Sequence, residues 1–259
     1  MNLSKDAFGA GDHIEVEVLV IGSGAGGSPT AALLAEAGFD VLIVEEGEWY
    51  DQGSIKPFSL DQMQKQYRSG GVTVALGRPS IAYTEGRCAG GGTEVNSGLY
   101  KRPPHSMLTK WRDGYMIQDL ELDDIDAIAD EIETDLSISY VPGESTLASK
   151  ALARGATKLG WRNSEIPRWM SYPEQGDALS GKRQSMTETH LPRAINAGAI
   201  LSTGIRVERL DMTDATAGAA IVERRDGRAG RISFRHVFVC CGAIHTPALL
   251  QRSGIKGNI

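Results

Sequence analysis

Three glycines near the N-terminus have a spacing that suits phosphate binding. Gly22, Gly24 and Gly27 read G-x-G-x-x-G between an apolar run that starts at Val16 and residues 28–37, which predict a helix. Glycine permits a tight turn and the close approach of a pyrophosphate to the backbone, and the first turn of a helix offers N–H groups and a partial positive charge. The spacing therefore predicts a phosphate-binding turn.

A carboxylate follows where such a turn would need one to bind a nucleotide. The apolar residues Val41 to Val44 predict a second strand, and Glu45 ends it. A carboxylate at that position can accept hydrogen bonds from the hydroxyls of a ribose. Strand, turn, helix, strand and acid in this order predict a dinucleotide-binding βαβ unit. The alternative is a glycine-rich turn with a structural role only.

Two later stretches also place small residues where a ligand could approach the backbone. Residues 86–98 form a second glycine-rich turn. Residues 237–255 predict an apolar strand, the pair Gly242-Ala243 and a helix from about Thr246 to Arg252. This strand returns to the first sheet long after the opening motif, which is typical of flavin enzymes with a single nucleotide-binding sheet. Simple nicotinamide domains usually continue with regular βαβ units.

The composition of the whole chain excludes several functional classes. Its 259 residues are 41% hydrophobic, which is ample for a core, and the net charge of −6 gives no basic surface for nucleic acid. No run reaches the roughly 18 apolar residues of a membrane span, and the polar N-terminus has no signal-peptide core, so the sequence predicts a cytoplasmic protein. Cys88, Cys240 and Cys241 predict reduced thiols, and no cluster has the spacing of a metal site.

Two stretches outside the motifs lack a regular pattern. Residues 1–14 are predicted to be a mobile lead-in, and residues 47–85 a long excursion with one short helix at 60–68. A helical and loop insertion is predicted around residues 105–185.

Within that insertion, apolar residues at helical spacing predict one helix with acids on its solvated face: Leu120, Ile125, Ile128, Ile132 and Leu136. A second helix is predicted from Ser145, its cap, to Leu159, and residues 161–184 are predicted to be loop. A short helix at 187–198 follows. The C-terminal part then predicts four strands, at 204–210, 217–224, 231–234 and 237–241.

Four stretches together resemble the glucose–methanol–choline (GMC) oxidoreductases. They are IGSGAGG with VLIVEEG, CAGGGTEVNSGLYKRPP, KRQSMTETHLPRAINAGA and CCGAIHTPALLQRSGI. The resemblance covers the chain from about Val16 and is nearest to bacterial long-chain-alcohol and sterol oxidase types. It implies an FAD-dependent oxidoreductase that acts on CH–OH groups, with hydride transfer from an alcohol to the flavin. The implied fold is α/β, a Rossmann-like FAD-binding domain over residues 15–259 with a parallel sheet, helices and an added β-meander.

The resemblance also implies which residues bind FAD. Glu45 would bind the adenosine ribose, and the backbone of Val207 would pair with the adenine edge. The pyrophosphate would lie against the first turn, formed by Gly22, Ser23, Gly24, Ala25, Gly26 and Gly27. The other implied contacts, to the flavin, the ribityl chain and the diphosphate, involve Gly90, Gly92, Thr93, Asn96, Ser97, Gly98, Gly242 and Ala243. Two alternatives stay open: Asn96 as a turn residue and Val207 as plain strand core.

The chain departs from the family at two points. Some members bind FAD covalently through a histidine just before the asparagine of the middle motif; here that position is Val95, which implies noncovalent FAD. Family members are also longer, and their substrate domain and catalytic histidine pair follow the closing motif, so this chain is expected to be truncated before the substrate domain. No catalytic residue is therefore named among its five histidines, which are His13, His105, His190, His236 and His245. His245 is best explained as a helix-start residue.

Three functions compete on this basis. The first is the FAD-binding part of an enzyme that oxidises a small-molecule alcohol. The second is a nicotinamide-dependent reductase domain, against which the GGGT-x-x-N motif argues. The third is a truncated inactive product, or one subunit of a split enzyme completed by a second chain.

Overall fold

The computed structural model describes residues 3–51, 53–117, 119–215 and 217–257. Of the predicted segments, Met1, Asn2, Gln52 and Gln118 lie outside the described residues. The chain forms two compact units, the first from residues 1–96 and 185–259 and the second from residues 97–184. The second unit covers the stretch where the sequence indicates an insertion, but it begins earlier, at Ser97.

The strands of the described residues, in chain order, are β1 (His13–Ile21), β2 (Val41–Glu45), β3 (Thr73–Ala75), β4 (Ile81–Tyr83), β5 (Ile138–Ser139), β6 (Arg168–Ser171), β7 (Lys182–Arg183), β8 (Ile200–Thr203), β9 (Ile205–Met212), β10 (Gly218–Arg224) and β11 (Ala229–Val239). The α-helices are α1 (Gly27–Glu36), α2 (Leu60–Gln66), α3 (His105–Thr109), α4 (Leu122–Asp135), α5 (Leu147–Lys158), α6 (His190–Asn196) and α7 (Gly242–Arg252). Short 3₁₀ turns occupy Arg68–Gly71 and Gly91–Glu94, and Lys110–Gly114 is a π-helical turn.

The first unit is organised around a six-stranded, mainly parallel sheet with the order β8-β2-β1-β11-β10-β9. Its central strands β1 and β2 are rich in valine, leucine and isoleucine, as is typical of parallel strands covered on both faces. Strand β1 is parallel to both β2 and β11, whereas β9, β10 and β11 form an antiparallel meander. The predicted α/β class, with a parallel sheet and an added β-meander, is confirmed.

The core of the first unit lies on both faces of this sheet. Because successive strand residues point to opposite faces, Val18 and Val20 pack with α1 and α6, whereas Leu19 and Ile21 pack with the meander and Leu249 of α7. The arrangement brings the carboxyl ends of β1, β2 and β11 together at one edge of the sheet, where the predicted site residues lie.

The N-terminal segment differs from the expected mobile lead-in. Phe8 is 5% exposed and belongs to the core beside the meander, and the guanidinium of Arg224 lies 4.8 Å from its ring centre. The backbone N–H of Lys5 donates to the carbonyl of Leu201 at 2.8 Å. Strand β1 already begins at His13. The segment is therefore anchored to the sheet at Lys5 and Phe8, and the packing of Phe8 buries apolar surface that a mobile segment would leave in water.

Several C-terminal elements also differ from the prediction. The two strands predicted at 231–234 and 237–241 are one strand, β11, because its neighbour β1 pairs with it on both sides of the exposed polar pair Arg235-His236. The short parallel strand β8 was not predicted. Helix α7 begins at Gly242 rather than at Thr246, and it contains Pro247, which by itself suits a helix start.

One part of β11 has a hydrogen-bonded neighbour on one side only. Strand β10 pairs with β11 as far as Phe234, whereas β1 pairs with it as far as Val239. Within the described part of the chain, residues 235–239 therefore form an open edge, and Phe238 is 39% exposed there. Strand β1 itself lies between β2 and β11 and has no such edge beside Val18 to Ile21.

The second unit contains α3, α4, α5 and the three-stranded sheet β5-β6-β7. Residues 161–184, predicted to be loop, contain β6 and β7; β6 pairs with β7 and also with the more distant β5. Thr146, not Ser145, caps α5, since its Oγ1 accepts from the N–H of Ser149 at 3.2 Å. None of the helices described is long and apolar enough to cross a bilayer.

Candidate functional site

The first glycine-rich turn connects β1 to α1 and is packed too closely for side chains at two positions. Gly22 has φ +97°, and a Cβ there would lie 2.4 Å from the carbonyl oxygen of Cys240. A Cβ at Gly27 would lie 1.8 Å from the carbonyl oxygen of Gly22. Helix α1 begins at Gly27 with no side-chain cap and no acid in its first turn. Its N-terminus therefore suits an anion such as a pyrophosphate.

Glu45, at the end of β2, receives three hydrogen bonds while it is only 7% exposed. Its Oε2 accepts from the backbone N–H of Ser23 at 3.1 Å and from Ser23 Oγ at 2.7 Å, and its Oε1 accepts from the N–H of Gly47 at 2.9 Å. Burial raises the pKa of Glu45, although these bonds favour the ionised form. An ionised carboxylate has about four acceptor sites, so capacity remains for a ribose hydroxyl.

The second glycine-rich turn packs directly on the first. The N–H of Gly90 donates to Ser23 Oγ at 3.1 Å, and a Cβ at Gly91 would lie 3.2 Å from the Cα of Gly24. Thr93 closes the turn, since its Oγ1 donates to the carbonyl of Gly90 at 2.6 Å and accepts from the N–H of Met186 at 3.1 Å. Two turns that are distant in sequence thus form one surface.

The third turn begins α7 next to the first. The N–H of Cys240 donates to the carbonyl of Ile21 at 2.8 Å, which holds the end of β11 beside the first turn. The helix then starts at Gly242, again without a side-chain cap or an acid in its first turn. Because Pro247 has no N–H, the carbonyl of Ala243 lacks the donor that a regular helix would supply. Exposed polar backbone is thus available in this turn.

The three turns leave room in front of their backbone. A Cβ at Gly92 or at Gly242 would meet no atom within 4 Å, and one at Gly24 would come no closer than 3.9 Å to its neighbours. Ala25 and Gly26 are exposed. A bound diphosphate and ribityl chain need such open backbone beside helix N-termini, so the residues present fit FAD.

Three of the remaining predicted residues flank the boundary between the two units. The N–H of Asn96 donates to the carbonyl of Gly92 at 3.1 Å, and Asn96 is the last residue of this part of the first unit. Ser97 and Gly98 belong to the second unit. There the carbonyl of Gly98 accepts from the N–H of Trp169 at 3.0 Å, and a Cβ at Gly98 would lie 2.8 Å from Trp169 Nε1.

Val207 lies on the edge strand β9, away from the turns in strand order. Its backbone pairs with Val222 of β10, and its side chain is 7% exposed in the cluster that also contains Val44. Its carbonyl accepts from Arg252 Nη2 at 3.5 Å. The side chain therefore serves as strand core, and a contact of its backbone with adenine remains a prediction.

The three cysteines are free thiols in the structure. Cys88 is buried, and burial raises its pKa well above the ordinary value. Cys240 and Cys241 point to opposite faces of the sheet, and burial raises the pKa of Cys241 to about 12. Thiols protonated in this way are poor nucleophiles and poor metal ligands.

Sequence reasoning included Gly47 and Gly86 in its motifs but assigned neither of them a role, although both bring these turns together. A Cβ at Gly47 would lie 2.3 Å from the carbonyl carbon of Arg87, and one at Gly86 would lie 2.3 Å from the carbonyl oxygen of Gly91. Gly47 directly follows Glu45-Glu46, and Gly86 directly precedes Arg87-Cys88. This closeness to the motif residues is the sequence feature that could have indicated their packing role. Sequence reasoning also missed Tyr67, whose hydroxyl donates to the carbonyl of Val95 at 3.2 Å.

Comparison with known proteins gives consistent matches over both parts of the sequence. A family model described as "GMC oxidoreductase" matches residues 63–259, and one described as "FAD binding domain" matches residues 15–62. An uncharacterised GMC-type oxidoreductase of Sinorhizobium fredii is 37% identical over 256 residues, which are 95% of this chain and 51% of that protein.

More distant relatives match over a similar length. A long-chain-alcohol oxidase of Arabidopsis thaliana is 26% identical over 263 residues, which are 94% of this chain and 35% of that protein. Among solved structures, pyridoxine 4-oxidase from Mesorbium loti has the same fold with a TM-score of 0.66 at 19% identity, over 93% of this chain and 52% of that one. The chain thus spans about half, or less, of the length of these relatives.

Proposed function

Because the chain belongs to the GMC oxidoreductase family and its N-terminal part matches an FAD-binding domain, we propose that it is the FAD-binding part of an enzyme that oxidises the CH–OH group of an alcohol. FAD, when bound, supplies the hydride acceptor. The chain's own contribution is to bind and orient that cofactor. The observation that carries the proposal is the joining of two glycine-rich turns through Ser23 and Glu45, because it builds one continuous surface from the two motifs of the family.

Each part of this surface has a proposed role. The N-terminus of α1 and the first turn bind the pyrophosphate, and Glu45 accepts from the adenosine ribose. The backbone of Val207 pairs with the adenine edge. The flavin, ribityl chain and diphosphate contact the second and third turns and the residues after them, namely Gly90, Gly92, Thr93, Asn96, Ser97, Gly98, Gly242 and Ala243. We expect FAD to be noncovalent, because the side chain of Val95 cannot form a bond to it.

The substrate we propose is a small-molecule alcohol, and the names of the Arabidopsis relatives favour a long aliphatic one. The residues that bind the alcohol and remove its proton are expected in sequence corresponding to the rest of the longer relatives, in the same polypeptide or in a second chain. A cytoplasmic setting is part of the proposal and is supported by the three free thiols.

A titration separates this proposal from the nicotinamide-dependent alternative. The purified chain, stripped of cofactor, is titrated with FAD and, in a parallel experiment, with NADH and NADPH. We expect one FAD to bind per chain, seen as a structured visible absorbance band and a loss of free-flavin fluorescence, and no saturable binding of either nicotinamide. Saturable nicotinamide binding without a yellow complex would contradict the proposal.

A further inference from the structure

Four charged or ionisable side chains connect the end of β2 to the first turn of α7; we call them the clamp, comprising Glu46, Arg68, Glu85 and His245. The guanidinium of Arg68 donates to both carboxylate oxygens of Glu46, from Nη1 at 3.2 Å and from Nη2 at 2.8 Å. Its Nε lies 3.3 Å from Oε2 of Glu85 in an ion pair. The same Oε2 lies 3.3 Å from Nε2 of His245.

The clamp lies in a partly shielded place, where charge pairs are stronger than in open water. The four side chains are between 19% and 33% exposed. Although burial disfavours its charge, the hydrogen bond from Arg68 lowers the pKa of Glu46, so this carboxylate is ionised at neutral pH. Arg87 adds a second cation, with its Nε 3.2 Å from Glu46 Oε1.

The position of the clamp relates it to all three turns. Glu46 follows the proposed ribose ligand Glu45, and Glu85 precedes Gly86, which packs on Gly91 of the second turn. His245 lies in the first turn of α7, three residues after Gly242. The clamp therefore connects the third turn, through side chains, to the end of β2 and to the segment that leads into the second turn.

The two ends of α7 are held in different ways. Its C-terminal half is fixed by packing, since Leu249 is 1% exposed, and by Arg252, whose Nε donates to the carbonyl of Glu208 at 2.8 Å. At its N-terminal end Gly242 has φ +80° and open space beside its Cα, and Ala243 and Ile244 are exposed. There the N–H of Cys241 donates to Thr246 Oγ1 at 3.1 Å within the turn, and the contact of His245 with Glu85 is a side-chain link from this turn to a distant part of the chain.

We propose that His245 and Glu85 are positioning residues that hold the first turn of α7 against the second glycine-rich turn, and so set the backbone of Gly242 and Ala243 for FAD. This inference rests on the proposed assignment of Gly242 and Ala243 to the cofactor. Arg68 acts one step further away, by orienting Glu85 while it is itself fixed by Glu46.

The test is a double-mutant cycle in the 259-residue chain with Glu85→Gln, His245→Gln and both together. We expect each single change to weaken FAD binding about threefold to tenfold, since a partly shielded charged contact is lost. The double variant should bind FAD with an affinity no lower than that of the more affected single variant, because the two residues act through one contact. Hydrogen exchange of the FAD-free chain should become faster at residues 242–245 and stay unchanged in β1.

Two further variants serve as a control and as a rescue. His236→Gln changes an exposed histidine of β11 and should leave both FAD affinity and exchange unchanged. His245→Lys places a charged donor opposite Glu85, where glutamine offers only a neutral amide, so its FAD affinity should lie closer to wild type than that of His245→Gln. If His245→Lys is folded and binds FAD like the wild type, the loss of affinity in the glutamine variants comes from the lost contact and not from unfolding.

Each remaining outcome counts against the inference. Unchanged FAD affinity in both single variants, or losses that simply add in the double variant, would overturn it. If the wild-type chain binds no FAD, the proposed function fails. The hydrogen-exchange measurement still tests the clamp in that case, because unchanged exchange at 242–245 in Glu85→Gln would show that the clamp does not hold the first turn of α7.

Discussion

The hydroxyl of Ser23 donates a 2.7 Å hydrogen bond to Glu45 Oε2 and accepts one of 3.1 Å from the N–H of Gly90. Ser23 is fully buried and Glu45 nearly so. One serine side chain thus joins the carboxylate at the end of β2 to the second glycine-rich turn. Since the backbone N–H of Ser23 binds the same carboxylate oxygen, Glu45 Oε2 is held by two donors from one residue.

Replacing Ser23 by alanine should destabilise the protein. The change leaves the buried N–H of Gly90 without its partner and removes one of the three donors to Glu45, which should lower the free energy of unfolding by about 1–3 kcal/mol. Urea denaturation of the FAD-free chain measures it. Ser80→Ala is the matched control, because Ser80 is exposed and makes only a 3.3 Å bond to Gly77. A Ser23→Ala stability equal to that of the control would contradict this stabilising role of the Ser23 hydroxyl.

Replacing Glu45 by alanine should weaken FAD binding. The adenosine ribose would lose a charged hydrogen-bond partner, at a cost of about 1.5–3 kcal/mol or roughly ten- to a hundredfold in affinity. Fluorescence titration of the FAD-free chain measures the dissociation constant. Glu15→Ala, at an exposed position of β1, should bind FAD as the wild type does. Unchanged affinity in Glu45→Ala would count against the ribose contact.

Glu45 should also make the stability of the FAD-free chain depend on pH. Burial raises its pKa above the ordinary value, so the folded state binds its proton more tightly than the unfolded state does. This stabilising contribution is complete below the unfolded pKa of about 4.3 and is lost as the pH rises through the raised folded value.

The variant Glu45→Gln isolates that contribution from those of other carboxyl groups. Its amide does not titrate, so the stability of the variant relative to wild type should rise as the pH increases from about 4 towards neutrality. Urea unfolding at a series of pH values gives the difference. A constant difference in the free energy of unfolding over this range would show that burial does not raise the pKa of Glu45.

Acid precipitation should release the flavin completely. Val95 occupies the position that bears a histidine in members with covalently bound FAD, and a valine side chain cannot form that bond. After precipitation with trichloroacetic acid, we expect all flavin in the supernatant and a colourless pellet. Yellow colour that stays with the precipitated protein would refute noncovalent binding.

The chain alone should bind FAD but not turn over alcohols. Oxidation needs the substrate C–H held against the flavin and a base within hydrogen-bond reach of the hydroxyl, and base catalysis alone contributes about 10²- to 10⁴-fold. His245 is the histidine nearest in sequence to the proposed flavin contacts, and its Nε2 lies 3.3 Å from Glu85 Oε2; the base itself is expected in the sequence that corresponds to the rest of the longer relatives. Anaerobic mixing with short, long-chain and sterol alcohols should therefore leave the visible flavin band unbleached.

Two results would change that picture. Rapid bleaching by the chain alone would mean that one of its own residues acts as the base. The variant His245→Gln would then test whether that base is His245. Bleaching that appears only after a separately expressed downstream polypeptide is added would favour the split enzyme.

The sequence by itself determined the nucleotide-binding unit. Strand β1, the turn at Gly22, helix α1 and strand β2 lie within a few residues of their predicted bounds. The physical reason is that each depends on local features: apolar runs that must be buried, glycines that the turn requires, and an acid at a strand end. The middle and closing motifs indicated the family resemblance because they too are local runs of glycines and apolar residues.

The tertiary structure alone decided how these parts meet. The bond from Gly90 to Ser23 joins residues 67 positions apart, and the contact of His245 with Glu85 joins residues 160 apart. Such contacts leave no periodic trace in the sequence, because each end satisfies local rules without the other. The continuity of β11 across Arg235 and His236 likewise comes from β1, whose pairing with β11 continues to Val239 after that of β10 has ended at Phe234. Two polar residues in the sequence give no sign of this pairing.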